Sequence, residues 1–176
     1  WFAGTATLPV WAFVALAAGF GLVHGNVITI GHELGHKNNA TDRLLGQIVN
    51  AVVGYGHFCI EHNRGHHVWV STPEDPASAR LGESIYAFAL RELPGSFRRG
   101  WAQEIERLKR KGLSPWSFQN EILQSYAITL AVAAVAISLF GPKMIAFLAI
   151  HNFLGWYGLT QANYVEHYGL ARQKRA

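Results

Sequence analysis

Leu8 to Ile30 is a run of 23 residues with no Asp, Glu, Lys or Arg. A helix needs about 20 such residues to cross the hydrocarbon core of a bilayer. In lipid the backbone must satisfy its own polar groups, which restricts a single apolar run of this kind to a helix. The run predicts a span over about 8–30, with Pro9 near its start. Ile122–Phe140 and Met144–Val165 are two further apolar stretches, separated by the turn signal Gly141-Pro142. They read as a membrane hairpin, out and back. Half the residues are hydrophobic and 15% are charged, too apolar for an ordinary soluble domain and too polar for a chain in lipid throughout. The expected fold class is all-α, an integral membrane helical bundle with about three spans, an interfacial helix and a histidine-rich cap. All 176 residues read as one partial domain, an internal piece of a longer protein.

The segment 44–60 is only 17 residues long, and crossing there would part the first two histidine clusters. Leu44, Leu45, Ile48, Val49, Val52 and Val53 recur with helical spacing, while Gly46, Gln47, Asn50 and Gly54 take the other face. Such an amphipathic helix lies in the interface plane. The clusters, the loop over about 61–121 and the tail then share one side. Of the 15 Lys and Arg residues all but Lys143 fall there, so the positive-inside rule makes that side cytoplasmic. Within the loop, Trp101 to Lys111 reads as a basic helix, lying on the membrane surface or serving as a docking surface for an acidic protein. No nucleic-acid partner is expected.

Six of the nine histidines cluster: His32 and His36 in HELGHK, His62, His66 and His67 in EHNRGHH, and His167 in NYVEHYG. Neutral imidazole is the commonest metal ligand. Residues i and i+4 share a helix face, so His32 with His36, and His62 with His66, can each clasp a metal. His67 projects about 100° from His66; it serves a second metal or binds after a local break in the helix. Six imidazoles exceed a tetrahedral zinc site and suit two metals with open positions. The single cysteine, Cys59, excludes a thiolate cluster and reads as a small packing residue.

Glu33, Glu61 and Glu166 each adjoin a cluster histidine, where a carboxylate can take the other N–H of a ligating ring. Glu74 and Asp75, in a proline-bounded turn, either orient ligands or cap the turn. His57 is expected to support the site from beside it. His24 and His151, inside spans, are expected to hydrogen-bond between helices. Phe153, Trp156 and Tyr157 serve as interface anchors and packing, or line a substrate channel.

Together these clusters resemble the membrane-bound non-haem di-iron alkane 1-monooxygenases (alkane omega-hydroxylases), within the membrane fatty-acid desaturase and hydroxylase class. The likeness runs from about Val23 to Leu170. It is carried by the first box and by two extended stretches, Glu61 to Arg80 (EHNRGHHVWVSTPEDPASAR) and Asn163 to Leu170 (NYVEHYGL). The resemblance implies that His32, His36, His62, His66, His67 and His167 ligate two iron ions. It also implies terminal hydroxylation of n-alkanes with dioxygen, and electrons from rubredoxin and its reductase. No side chain is then needed as a general base. The family carries a further histidine box downstream that is not in this chain, so the isolated 176 residues are expected to be inactive.

Three rivals remain. HELGH alone matches a zinc metalloprotease, two ligands and a glutamate base, but leaves four histidines unexplained. A desaturase or an aromatic-side-chain hydroxylase would share the scaffold and differ in product. A metal transporter would string its ligands along a pore rather than gather them on one face.

Overall fold

A computed structural model describes residues 1–172, all-helical in its regular elements. Gln173 to Ala176, counted above with the basic tail, lie outside the described residues. The helices are α1 (Phe2–Thr5), α2 (Val10–Gly35), α3 (Ala40–Val52), α4 (Phe58–Glu61), α5 (His67–Trp69), α6 (Ile85–Arg110), α7 (Glu121–Phe140) and α8 (Lys143–His167). A π-helical turn, His62–His66, joins α4 to α5. Among them α2 and α7 are long and apolar enough to cross a membrane. Most of their apolar side chains stay outside the protein core, as they do when lipid is the solvent. α2 does not stop at Ile30 but continues to Gly35, carrying His32 on its last turn and His36 as its C-cap.

α2 and α8 pack closely because glycine faces glycine. A Cβ at Gly25 would lie 3.4 Å from the Gly155 carbonyl oxygen, and one at Gly158 would lie 3.4 Å from the Gly25 Cα. Small residues let helix backbones approach where no hydrophobic force between helices exists in lipid. Beside them the His24 Nδ1 and His151 Nε2 atoms are 2.5 Å apart, and His151 Nδ1 is 2.8 Å from Asn152 Oδ1. This is the interhelical bonding expected of the two intramembrane histidines.

α3 differs from the expected 44–60. Asn39 caps it, accepting from the Asp42 amide at 2.8 Å, and the helix ends at Val52 before Gly54 at φ +72°. A positive φ there favours glycine and turns the chain toward α4. The amphipathic face points outward. Leu44, Leu45 and Ile48 are 54%, 46% and 37% exposed, while Gly46 and Asn50 are buried. A helix that turns its small, polar face inward and its apolar face out is solvated by lipid, not water. Gly46 sits on α2, where a Cβ would fall 2.9 Å from the Gly31 carbonyl oxygen. Gly46→Val should therefore force the helices apart and cost about 1–3 kcal/mol, read as a lower unfolding temperature of the full-length protein. An unchanged temperature would contradict this packing.

The stretch 61–121 is not the mostly open loop expected. α6 fills 26 residues of it, capped by Ser84, whose hydroxyl accepts from the Ala87 amide. Its buried positions are Phe88, Ala89, Glu92, Ser96, Gly100, Glu104 and Leu108. All but Ala89 recur every fourth residue, so one face is buried although four of those six residues, Glu92, Ser96, Gly100 and Glu104, are polar or glycine.

Candidate metal centre

The π turn decides which histidines meet. An α-helix would align His62 with His66, four residues on; a π turn adds a residue and aligns His62 with the residue five on. The His62 and His67 Nε2 atoms are accordingly 2.9 Å apart. From α2, the His32 and His36 Nε2 atoms approach to 2.8 Å. One ring nitrogen from each of His32, His36, His62 and His67 lies within 4.8 Å of the other three. The expected His62–His66 clasp is therefore replaced by His62–His67, and the local break foreseen for His67 is this turn. Four converging imidazole nitrogens with no carboxylate among them form a donor set that can hold a metal ion.

His66 turns to the other side, where its ring lies 4.8 Å from that of His167 and 5.2 Å from that of His62. All six cluster histidines thus form one continuous patch, a quartet with a pair beside it. Burial, then the charge of the His32, His66, His67 and His36 rings, drives His62 far below its ordinary value. His36 and His67 are lowered first by burial and then by neighbouring rings. The neutral form so favoured is the one that binds metal.

The carboxylates divide. Asp75 is buried and accepts from His66 Nδ1 at 2.9 Å, which leaves Nε2 as the acceptor nitrogen of that ring. It also accepts from the Ser78 hydroxyl at 2.5 Å and the Ala77 amide at 3.2 Å, so it caps its turn and orients a histidine at once. Burial alone would raise its carboxyl; bonds from His66 and Ser78, the His66 charge and Arg99 overcome this and hold it below the usual range. Glu74 is exposed on the same turn. Glu33 lies 3.4 Å from His32 Nδ1 and Glu166 3.9 Å from His167 Nε2, both largely in solvent. Glu61 departs from expectation: it bonds Arg99, not a histidine. His57 is a second correction. It is buried against Phe97, with Nδ1 3.2 Å from the Tyr126 hydroxyl, and burial lowers it to about 4. It packs α7 to α6 and does not reach the imidazole patch. Trp156 donates to the Val53 carbonyl at 2.7 Å and packs on Tyr55, a core role. Phe153 stacks on Tyr157 at 6.1 Å. Cys59 packs as expected, with its Sγ 3.1 Å from Asn50 Nδ2.

Two residues of α6 that the sequence did not single out support the patch. Arg99 donates to Glu61 through Nε at 2.7 Å and to Asp75 through Nη2 at 2.7 Å, and so braces the carboxylate that holds His66. Glu92 is buried, accepting from Thr160 Oγ1 at 2.7 Å and Asn163 Nδ2 at 3.2 Å on α8, one turn before His167. Burial raises its carboxyl to about 7, against bonds from Thr160 and Asn163. An acid whose folded value is raised contributes stability that is full below its unfolded value of 4.5 and lost as pH rises through 7. Glu92→Gln should remove that loss, so the unfolding temperature of the variant should fall less than that of the parent between pH 4.5 and 7. Parallel curves would show that Glu92 is not protonated in the fold.

Residues 8–176 match the profile of the fatty acid desaturase family. The chain belongs to that family. Within it, the chain is 54% identical over its full length to an alkane 1-monooxygenase of Pseudomonas putida, covering 44% of that protein. It is 56% identical over 99% of its length to an alkane 1-monooxygenase of Ectopseudomonas oleovorans, covering 43% of it. A xylene/toluene monooxygenase hydroxylase component of Pseudomonas putida is 32% identical over 82% of the chain, covering 39% of it. The chain thus spans less than half the length of these curated relatives.

Proposed function

We propose that the full-length protein hydroxylates the terminal methyl of n-alkanes to 1-alkanols with dioxygen, at a centre of two iron ions. His32, His36, His62, His66, His67 and His167 are the ligands from this segment, and the remainder come from chain beyond it. The observation that carries the reading is the imidazole patch at the end of α2, an apolar helix fit to cross the membrane. When bound, the metal pair supplies the reduction of dioxygen and the oxidising power to break a methyl C–H bond. The protein's own residues do the rest. Four neutral imidazoles converge from the end of α2, the π turn and the start of α5; Asp75 fixes the ring plane of His66; Arg99 and Glu92 tie α6 to the elements bearing His66 and His167. No side chain needs to carry a substrate proton.

An alkane offers no polar handle and dissolves in the bilayer. A centre at the end of membrane helices takes such a substrate from the lipid while facing a soluble electron donor, here rubredoxin with its reductase. We further propose that α8 crosses beside α2 as a third span, and that the histidine face is cytoplasmic in a bacterial inner membrane. Glu33, the base a HELGH protease would use, is 66% exposed, and two more histidines complete its ligand pair. That disfavours zinc proteolysis.

Membranes containing the full-length protein, given rubredoxin, its reductase, NADH and octane, should form 1-octanol in strict dependence on dioxygen. Benzylic alcohol from toluene without 1-octanol would move the reading to an aromatic-side-chain hydroxylase. A new double bond in an acyl chain would move it to a desaturase.

A further inference from the structure

α2 ends and α7 begins at a cavity of ≈ 580 Å3 whose wall includes none of the six cluster histidines. Gly35 at the end of α2 and Glu121 at the start of α7 line it, with Arg43 of α3, Arg64 of the π turn, and Arg107 and Lys111 from the end of α6. The charge is unbalanced. Glu104, fully buried, takes Arg107 at 2.6 Å and lies 3.9 Å from Arg64, and Glu121 lies 3.6 Å from Arg107. Four cations thus face two carboxylates, and Arg43 and Lys111 are exposed at the rim. Exposed apolar side chains lie on the elements that contribute to the cavity. Trp116 and Phe118, on the segment joining α6 to α7, are 75% and 98% exposed. Leu44 and Leu45 extend outward beside Arg43, and Leu130, Val135 and Leu139 line the open face of α7. Exposed aromatic residues and a cationic recess at the ends of spanning helices belong to the headgroup layer of a bilayer.

We propose that this cavity binds the phosphate-bearing headgroup of an anionic phospholipid. Arg43, Arg64 and Lys111 face the phosphate, and the acyl chains lie along the apolar outer faces of α3 and α7. A free phosphate would satisfy the same cations but has no use for the apolar frame. An acidic protein surface is too broad for a recess set between helix ends. None of the six histidines lines the cavity, although its wall residues Gly35, Asn63 and Arg64 adjoin His36 and His62 in sequence.

The test uses the full-length protein in nanodiscs of equal phosphatidylglycerol and phosphatidylcholine. Lipid retained after detergent release is weighed by native mass spectrometry, with and without excess inorganic phosphate, for the parent and an Arg43→Gln/Lys111→Gln variant. The expected result is selective retention of phosphatidylglycerol that inorganic phosphate leaves intact and that the variant lowers about tenfold or more. Retention without preference between the two lipids, or equal retention by the variant, would overturn the proposal. Displacement by phosphate with no lipid selectivity would assign the recess to a soluble anion instead. Unfolding temperatures report whether the variant folds; Lys111→Gln alone, at an exposed helix end, carries the comparison should the double variant not.

Discussion

His62→Ala in the full-length protein should abolish alkane oxidation and strip metal from the centre. His62 is the residue through which the patch is connected. Its Nε2 is 2.9 Å from that of His67, and its ring lies 4.5 Å from His32, 5.5 Å from His36 and 5.2 Å from His66. Loss of a residue that merely orients a metal ligand costs about 10–100-fold, so loss of this ring should exceed about 100-fold in 1-octanol formation. Metal content per chain, measured on the same preparation, should fall with it. The fold should survive, because the variant removes a ring whose burial and charged neighbours both disfavour its ionised form. Full activity with full metal content in His62→Ala would remove this ring from the centre.

Arg99→Leu should be the most damaging change away from the imidazoles. Glu61 and Asp75 are both buried, and one guanidinium serves both. Without it two carboxylates face each other with no cation. Breaking a buried ion pair from one side costs about 3–5 kcal/mol, which should appear as a large drop in unfolding temperature. Activity should fall as well, by about 10–100-fold, because Asp75 can no longer hold His66 in a fixed plane. Arg99→Lys should recover only part of the loss, since an ammonium lacks the planar fork that reaches two carboxylates at once. Equal stability of the leucine variant and the parent would show that Glu61 and Asp75 are neutral in the fold.

What the sequence shows plainly is what depends on local spacing. The apolar runs of α2 and α7, the Gly141-Pro142 turn between α7 and α8, and the i,i+4 pair His32 and His36 follow from short-range pattern alone. Three things do not. The π turn at His62–His66 replaces one partner of a histidine pair by its neighbour, and no residue in EHNRGHH announces it. α6 hides because the residues it buries at every fourth position include Glu92, Ser96, Gly100 and Glu104, which carry no apolar period. Its acids are legible as core only when Thr160, Asn163 and Arg107 are seen to meet them. The apolar stripe of α3 was legible as a stripe, and its outward direction follows once lipid is taken as the solvent. Arg99 lies just before the basic surface helix expected over Trp101 to Lys111, and its role depends on Glu61 and Asp75, 38 and 24 residues away.

Iron and zinc content per chain of the purified full-length protein tests the central claim most directly. Two irons with little zinc is the predicted result, from six imidazoles here and further ligands outside this segment. One zinc and no iron would contradict the account, and peptide substrates should then replace the alkane.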